Sequence, residues 1–496
     1  MLDSQSSTAT EDVDKTNDVL IGLGVGATLG SFIALLSNPG LALLAFLGLF
    51  GIVFGSLNLH LGLGFLVFIS YARLSDIFVH YHNAPSIAQP LVVGLLLLVL
   101  VRGVMSGIRF QGLMKPICLM GIYVVACLTS LLSARAPEMT FMGIQQLTKD
   151  IVFALTLILL MQQDPAKGLT TSLWALMLSG LLMGSVSVFQ YLTQSFDTDF
   201  GGLAQAAKQH LSGTVQSFRI SGPIGDPNFF AQILLVCVPL AIDRVMHEKR
   251  PLLRVVSSMI FLSVIFSVLF TFSRGALIGL AGMLAIVLIK HRPSKGVMIA
   301  GVSLSLISLL LLPENYLDRL ASLFNAVESS SDAGMEDSLR GRISELVSGL
   351  LMFVEHPLFG VGLGNYPVEY QDYAQRLGYE SRHSERHAHN MFLEWLAETG
   401  LFGGAALVAL IKEMLKRLNA GYQNHLTEGD LTGASMLAAF RLGLLGYLIA
   451  SLFLHAAFPR YFWLFAALAI AIPYPVTQGA PSLQTKALRF RRSGIQ

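Results

Sequence analysis

Three short stretches carry side chains able to hold a phosphate or take a proton. The first, FRISGPIGDPNFFA from Phe218 to Ala231, sets Arg219 ahead of a turn shaped by Gly222, Pro223, Gly225 and Pro227. Asp226 is placed to act as helix N-cap, with Pro227 in the first helical turn and Asn228 beside it. The second, TFSRG from Thr271 to Gly275, holds Arg274 between two apolar segments with almost no loop. The third, HAHNMFLEWLAETGLFG from His387 to Gly403, opens on His387, His389 and Asn390 and then runs into apolar sequence. Read as one helix, its spacing stacks Asn390, Glu394 and Glu398 on one face. Arginine stays protonated, and its planar fork matches phosphate oxygens in two-point contacts. An imidazole exchanges a proton near neutral pH. Arg219 and Arg274 gripping a diphosphate, with one histidine deprotonating an acceptor hydroxyl, therefore form a workable glycosyl-transfer set. The guanidiniums would neutralise charge on a departing pyrophosphate, as a metal does in nucleotide-sugar enzymes. Asn390, Asp226, Asn228, Glu394 and His387 are the candidate substrate-binding neighbours.

Each of these groups has a structural alternative. Arg219 can snorkel to headgroups, Arg274 can pair with Asp226 or Glu394, and the histidines and glutamates can anchor a helix end. The run GVGLGN, Gly360 to Asn365, has no βαβ unit around it, so its glycines are read as a tight turn rather than a dinucleotide loop. His383, His387 and His389 have zinc-like spacing but no second-shell pattern, so no metal and no cofactor are assigned. Cys118, Cys127 and Cys237 all lie inside apolar segments and read as packing residues.

The elements that must position these groups are membrane helices. Charged residues are 13% of 496, hydrophobic ones 53%, and mean hydropathy is +0.63, values foreign to ordinary soluble domains. A net charge of +2 gives no reason to expect nucleic acid. Scanning for spans of about 20 apolar residues gives about 12–14 candidates. They fall near 18–37, 40–58, 61–79, 90–107, 115–133, 143–162, 168–193, 228–246, 253–272, 275–290, 296–312, 389–411, 434–456 and 460–477. The expected fold is an all-α polytopic bundle with a long, partly helical loop before the third-last span. Five regions are expected: a polar tail 1–17, an N-terminal bundle 18–193, a catalytic region 194–412 with external loops 194–227 and 313–388, C-terminal helices 413–477 and a basic tail 478–496.

Lys and Arg of the short loops set the orientation. Arg102, Arg109 and Lys115, then Lys249, Arg250 and Arg254, then Lys290, Arg292 and Lys295, then Lys412, Lys416 and Arg417 occupy alternate connections, as do Lys486, Arg489, Arg491 and Arg492 of the tail. That set, and both termini, are expected in the cytoplasm, which leaves both long loops and all three polar stretches outside. Residues 338–357 have amphipathic helical periodicity, and ordered helices on the membrane surface are expected there.

The pieces GPIGDPNFFA, FSRGALIGL, HPLFGVGLGNY and HAHNMFLEWLAETGLFG, in this order over roughly residues 215–405, resemble the O-antigen ligase and Wzy-type polymerase superfamily, shared by bacterial protein O-oligosaccharyltransferases. The resemblance implies a GT-C-like fold. It further implies glycan transfer from an undecaprenyl diphosphate-linked oligosaccharide donor, without metal, on the periplasmic side of the inner membrane. It assigns Arg219 and Arg274 to diphosphate binding and His389, with His387 close by, to the base. The implied acceptor is a glycan or a lipid A-core hydroxyl, and a chain-length regulator and a flippase are the implied companions of a polymerase. The reading from another class is a transporter or flippase of lipid-linked glycan. Transporters usually carry midplane charges and interrupted helices. Here Arg73 and Asp76, three apart, are the main such charges, and they read as a structural pair.

Overall fold

A computed structural model describes residues 58–106, 112–210, 216–291, 337–378 and 386–473. The expected spans 18–37, 40–58 and 296–312 and both tails lie wholly or almost wholly outside these residues. The helices are α1 (Leu59–Tyr71), α2 (Leu74–His82), α3 (Ala88–Ser106), α4 (Met114–Thr129), α5 (Pro137–Gln163) and α6 (Pro165–Leu192). After strands β1 (Gln205–His210) and β2 (Gln216–Gly222) come α7 (Pro227–Leu234), α8 (Cys237–His247), α9 (Pro251–Phe270), α10 (Arg274–His291), α11 (Asp337–Glu355) and α12 (Tyr366–Arg376). The chain ends on α13 (Met391–Glu428), α14 (Leu431–Ala450) and α15 (Pro459–Ile470). Among the described residues seven helices are long and apolar enough to cross a membrane, eight if the bent pair α1 and α2 is one span. The protein is an all-α polytopic membrane protein, with one small hairpin among the described residues.

Apolar side chains build the spans, and proline begins most of them. Pro137, Pro165, Pro227, Pro251 and Pro459 occupy first-turn positions, where a missing N–H costs nothing. Successive spans run in opposite directions, so their ends collect in two groups. At one end Ser133 Oγ donates to the Gly360 carbonyl (2.5 Å), the Ala136 amide donates to Asn365 Oδ1 (2.8 Å), and the α9–α10 turn meets β2. At the other, Lys115 pairs with Glu413 (2.7 Å) and Gln162 donates to the Ala471 carbonyl (2.6 Å). All three polar stretches fall at the first end.

Two departures from the sequence reading matter. The segment 194–227 is not a plain loop: β1 and β2 pair antiparallel, with Arg219 opposite Ala207, so Arg219 sits on a strand rather than in a bare turn. The Arg73–Asp76 pair also has more charged partners than the sequence showed. The bend of 53° between α1 and α2 falls at Arg73, which has a left-handed backbone (φ 55°). Arg73 bonds Asp76 (3.0 Å), and Arg460 reaches both Asp76 (3.8 Å) and the buried Asp150 (3.3 Å). Two cations and two anions from α2, α5 and α15 thus neutralise one another, which lowers the cost of burying Asp150.

The long helix α13 is broken where the sequence suggested continuity. Gly400 has φ 63° and ψ −165°, a conformation open essentially to glycine only, and there the segment 357–362 takes over the helix's backbone bonds. Val361 N donates to the Ala397 carbonyl (2.9 Å), Gly362 N to Glu398 (3.0 Å), and Leu401 N to Pro357 (2.7 Å). The approach is so close that a Cβ on Gly360 would collide with the Glu398 backbone, and one on Gly400 with the Leu358 carbonyl. The glycines of GVGLGN do make a turn, as expected, and Gly360, Gly362 and Gly364 all have positive φ.

Gly400→Ala and Gly360→Ala should each destabilise the protein by at least about 2 kcal/mol, since both strain and overlap are unavoidable. Gly282→Ala, where an added Cβ meets nothing within 4 Å, should leave the melting temperature in detergent unchanged or slightly raised. Equal melting curves for all three would show that the interlock does not hold the fold.

Candidate active site at one end of the bundle

The hairpin delivers Arg219 to the α9–α10 turn. Its Nε donates to the Thr271 carbonyl (2.7 Å) and its Nη2 to Asn228 Oδ1 (2.9 Å), so two of five N–H donors fix the side chain. Thr271 is three residues before Arg274, the partly exposed first residue of α10, and the two guanidinium-bearing segments therefore meet at one corner. Asp226 is the N-cap of α7, as its sequence position suggested: Oδ1 accepts from the amides of Asn228 (2.7 Å) and Phe229 (3.1 Å). Asp226 and Asn228 thus hold the corner together, whatever else they contact.

The second half of the site is a cluster of imidazoles. The connection between α14 and α15 carries His455, whose ring stacks on His387 at 4.2 Å with planes 11° apart. His389 lies at 5.6 Å with its plane at 62° to that of His455. Phe229 packs edge-on against His455 at 4.9 Å, and a Cβ on Gly275, beside Arg274, would stand 3.1 Å from Phe453. Short packing paths therefore tie both arginine segments to the histidines.

The histidines are each backed by a carboxylate. His387 Nδ1 is 3.1 Å from Glu394 Oε1, and Glu394 Oε2 accepts the Ala388 amide at 3.2 Å. His389 Nδ1 bonds the His387 carbonyl (3.2 Å) and lies 2.8 Å from Glu345 Oε2, a close charge contact without the alignment of a hydrogen bond. Both imidazoles stay about a third exposed (36% and 29%), accessible from outside, while Glu394 and Glu345 are buried. His389 has φ 45°, a strained backbone for a residue with a side chain.

The expected stack of Asn390, Glu394 and Glu398 needs correction. Asn390 precedes α13 with an extended backbone (φ −151°), and its Oδ1 caps the amides of Phe392 (3.1 Å) and Leu393 (3.0 Å). An N-cap is outside the helical repeat, so only Glu394 and Glu398 share the face. Glu398 turns to the start of α12 and accepts the Tyr366 amide at 3.2 Å. Three site residues escaped the sequence reading: Glu345, Arg386 and His455. Glu345 lay within an amphipathic run, and His455 stands alone in LFLHAAFPRY; a single imidazole in an apolar stretch was the available signal.

Among the described residues no three His, Cys, Asp or Glu side chains converge as metal ligands would, and His383 lies outside them. Cys127 and Cys237 are buried, and Cys118 is exposed, all as free thiols.

Fold and site together define a polytopic membrane protein with guanidinium and imidazole groups gathered at one end of its bundle. Residues 259–408 match the family model described as O-antigen ligase, a match that takes in three of the four motif stretches and supports the resemblance to that superfamily. It supports a family of membrane glycan-processing enzymes. The match takes in Arg274, Glu345, His387 and His389, whereas Arg219 lies before it and His455 after it. No curated protein matches the chain.

His455 supplies a pH test. Burial, and then the neighbouring His387 and His389, hold its imidazole down to about 3. The unfolded chain binds that proton at about 6.5. Stability is therefore full above about pH 6.5 and is lost as pH falls toward the folded value, by up to about 1.4 kcal/mol per pH unit from this group. Melting temperature should drop between pH 6.5 and 5, and His455→Gln should flatten that drop. An unchanged slope in the variant would assign the acid sensitivity elsewhere.

Proposed function

We propose that the protein is a membrane glycosyltransferase that moves or polymerises oligosaccharide from an undecaprenyl diphosphate-linked donor onto a glycan acceptor hydroxyl on the outer side of the inner membrane. The single observation that carries this reading is the meeting of Arg219 and Arg274 at one corner, packed through Phe229 and Phe453 against the histidine cluster. Arg219 and Arg274 grip the diphosphate through charge-assisted bonds. His389 accepts the proton of the acceptor hydroxyl through Nε2, because Nδ1 is held by the His387 carbonyl and Glu345. The acceptor oxygen attacks the anomeric carbon, the bond from that carbon to the diphosphate oxygen breaks, and the lipid diphosphate leaves with the electron pair. Its growing charge is met by the two guanidiniums, with no metal required in this scheme.

In this reading the chain is multi-pass in a bacterial inner membrane with both termini cytoplasmic, and its partners are the lipid-linked donor, a glycan or lipid A-core acceptor, membrane lipids, and a flippase and chain-length regulator. Polymerase is favoured over ligase. The bent α1–α2 span with its charged partners Asp150 and Arg460 supports a second reading, a flippase of lipid-linked glycan, because interrupted charged spans are a transporter device.

Purified protein given a lipid-linked repeat should yield a ladder of products for a polymerase, or one addition for a ligase. Arg274→Ala and His389→Ala should each lower product at least about 100-fold while leaving the protein folded in the membrane. Normal product in both variants would end the enzymatic reading, and movement of lipid-linked glycan across liposomes without a new glycosidic bond would favour the flippase.

A further inference from the structure

The external helix α11 does more than cover the bundle. Its inner face is fixed against α12 and the start of α13: Tyr366 Oη donates to the Glu345 carbonyl, Ser344 Oγ and Tyr370 Oη are 3.0 Å apart, and Met352 is fully buried. This anchoring leaves one carboxylate of α11, Glu345, in the interior with 2% of its side chain exposed. Burying a charge is costly unless it is paired and hydrogen-bonded. Glu345 Oε2 has no hydrogen-bond partner among the described residues, yet it stands 2.8 Å from His389 Nδ1. Its other oxygen lies 3.4 Å from Arg386 Nη1, a looser contact.

We infer that Glu345 is a positioning residue for the proposed base: its carboxylate fixes the tautomer and ring orientation of His389 so that Nε2 faces the acceptor, and it stabilises the imidazolium formed when the proton is taken. The inference rests on the His389 reading and deepens it. An apo contact between base and orienting carboxylate is often misaligned and tightens only with substrate in place. His389 combines a strained φ of 45° with an Nδ1 that lies 2.8 Å from Glu345 on α11. The competing carboxylate, Glu394, is taken: it bonds His387 Nδ1 and the Ala388 amide, and so orients the neighbouring ring. The titratable and charged groups around His389 are thus Glu345 and, behind it, Arg386 from the outer segments, His387 with Glu394 from the α13 region, and His455 from the α14–α15 connection. Of these, only Glu345 bears on the nitrogen that must carry the proton opposite the reacting one.

The pairing makes catalysis depend on the docking of α11. The external helix is sequence-distant from the histidines, and it reaches them because its Tyr366 and Tyr370 contacts set its register. A site completed in this way becomes active only when the outer segment is seated.

The test uses full-length protein in detergent or nanodiscs with lipid-linked repeat as donor. Glu345→Gln keeps size and removes charge; its kcat should fall about 100-fold, the lower range of what a positioned general base contributes, with KM for donor little changed. The acid limb of its rate profile should move to lower pH, because the imidazolium loses its counter-charge. Glu345→Asp should recover part of the rate, and Glu394→Gln should leave the acid limb where it is. A Glu345→Gln enzyme with wild-type kcat and an unmoved acid limb overturns the inference. The two levels separate cleanly: active His389→Ala protein means that the base is misassigned, whereas inactive His389→Ala beside fully active Glu345→Gln means that this pairing alone is wrong. Folding of Glu345→Gln is checked by its melting temperature, and if it unfolds, Ser344→Ala with Tyr370→Phe, which loosen the helix without touching His389, should lower kcat in the same direction.

Discussion

The structure depends on a break in a helix and the segment that fills it. At Gly400 helix α13 leaves backbone groups unsatisfied, and within a bilayer or a buried core each such group costs several kcal/mol, on the order of a lost hydrogen bond in hydrocarbon. Residues 357–362 satisfy them by lying against the break, and glycine at both 360 and 400 is what lets two backbones come this close. The interlock joins residues 357–362 to α13. It places α11 immediately before the junction and α12 immediately after it, so both helices are held over the histidines by the same backbone bonds.

From that junction the electrostatics follow. Three buried glutamates surround the start of α13, and each has a distinct duty: Glu398 accepts the Tyr366 amide, Glu394 orients His387, and Glu345 faces His389. Three imidazoles lie beside them: His455 is kept neutral by burial and by its like neighbours, while His387 and His389 are partly exposed. On the far side of Phe229 the arginines supply positive charge, with Arg219 locked onto the α9–α10 turn.

Away from the site, a different solution appears. Arg73, Asp76, Asp150 and Arg460 neutralise one another across the bent α1–α2 span, and Arg73 also packs over the Phe458 ring at 5.0 Å. Phe458 belongs to the same connection as His455, so the charged group braces the segment on which the imidazole stack rests. The Lys115, Glu413 and Arg417 group does comparable work at the opposite end of the bundle.

Sequence alone determined the membrane character, most helix positions and the four motif stretches. Apolar runs, prolines at helix starts and the N-cap at Asp226 are local signals, set by solvent transfer and backbone valence within a few residues. It also named Arg219, Arg274 and the His387–His389 pair by residue chemistry. Only the tertiary structure decided what was assembled from distant parts. The strand under Arg219 needs a partner six to seventeen residues back in the chain, at Ala207 and its neighbours. The break at Gly400 is invisible to helical periodicity because its lost bonds are replaced by residues 357–362. Glu345 and His455 lie 44 residues before and 66 after His389, and neither looks like more than a lone polar group until folding brings it there. Proximity between such segments is set by packing, and no local pattern in the chain encodes it.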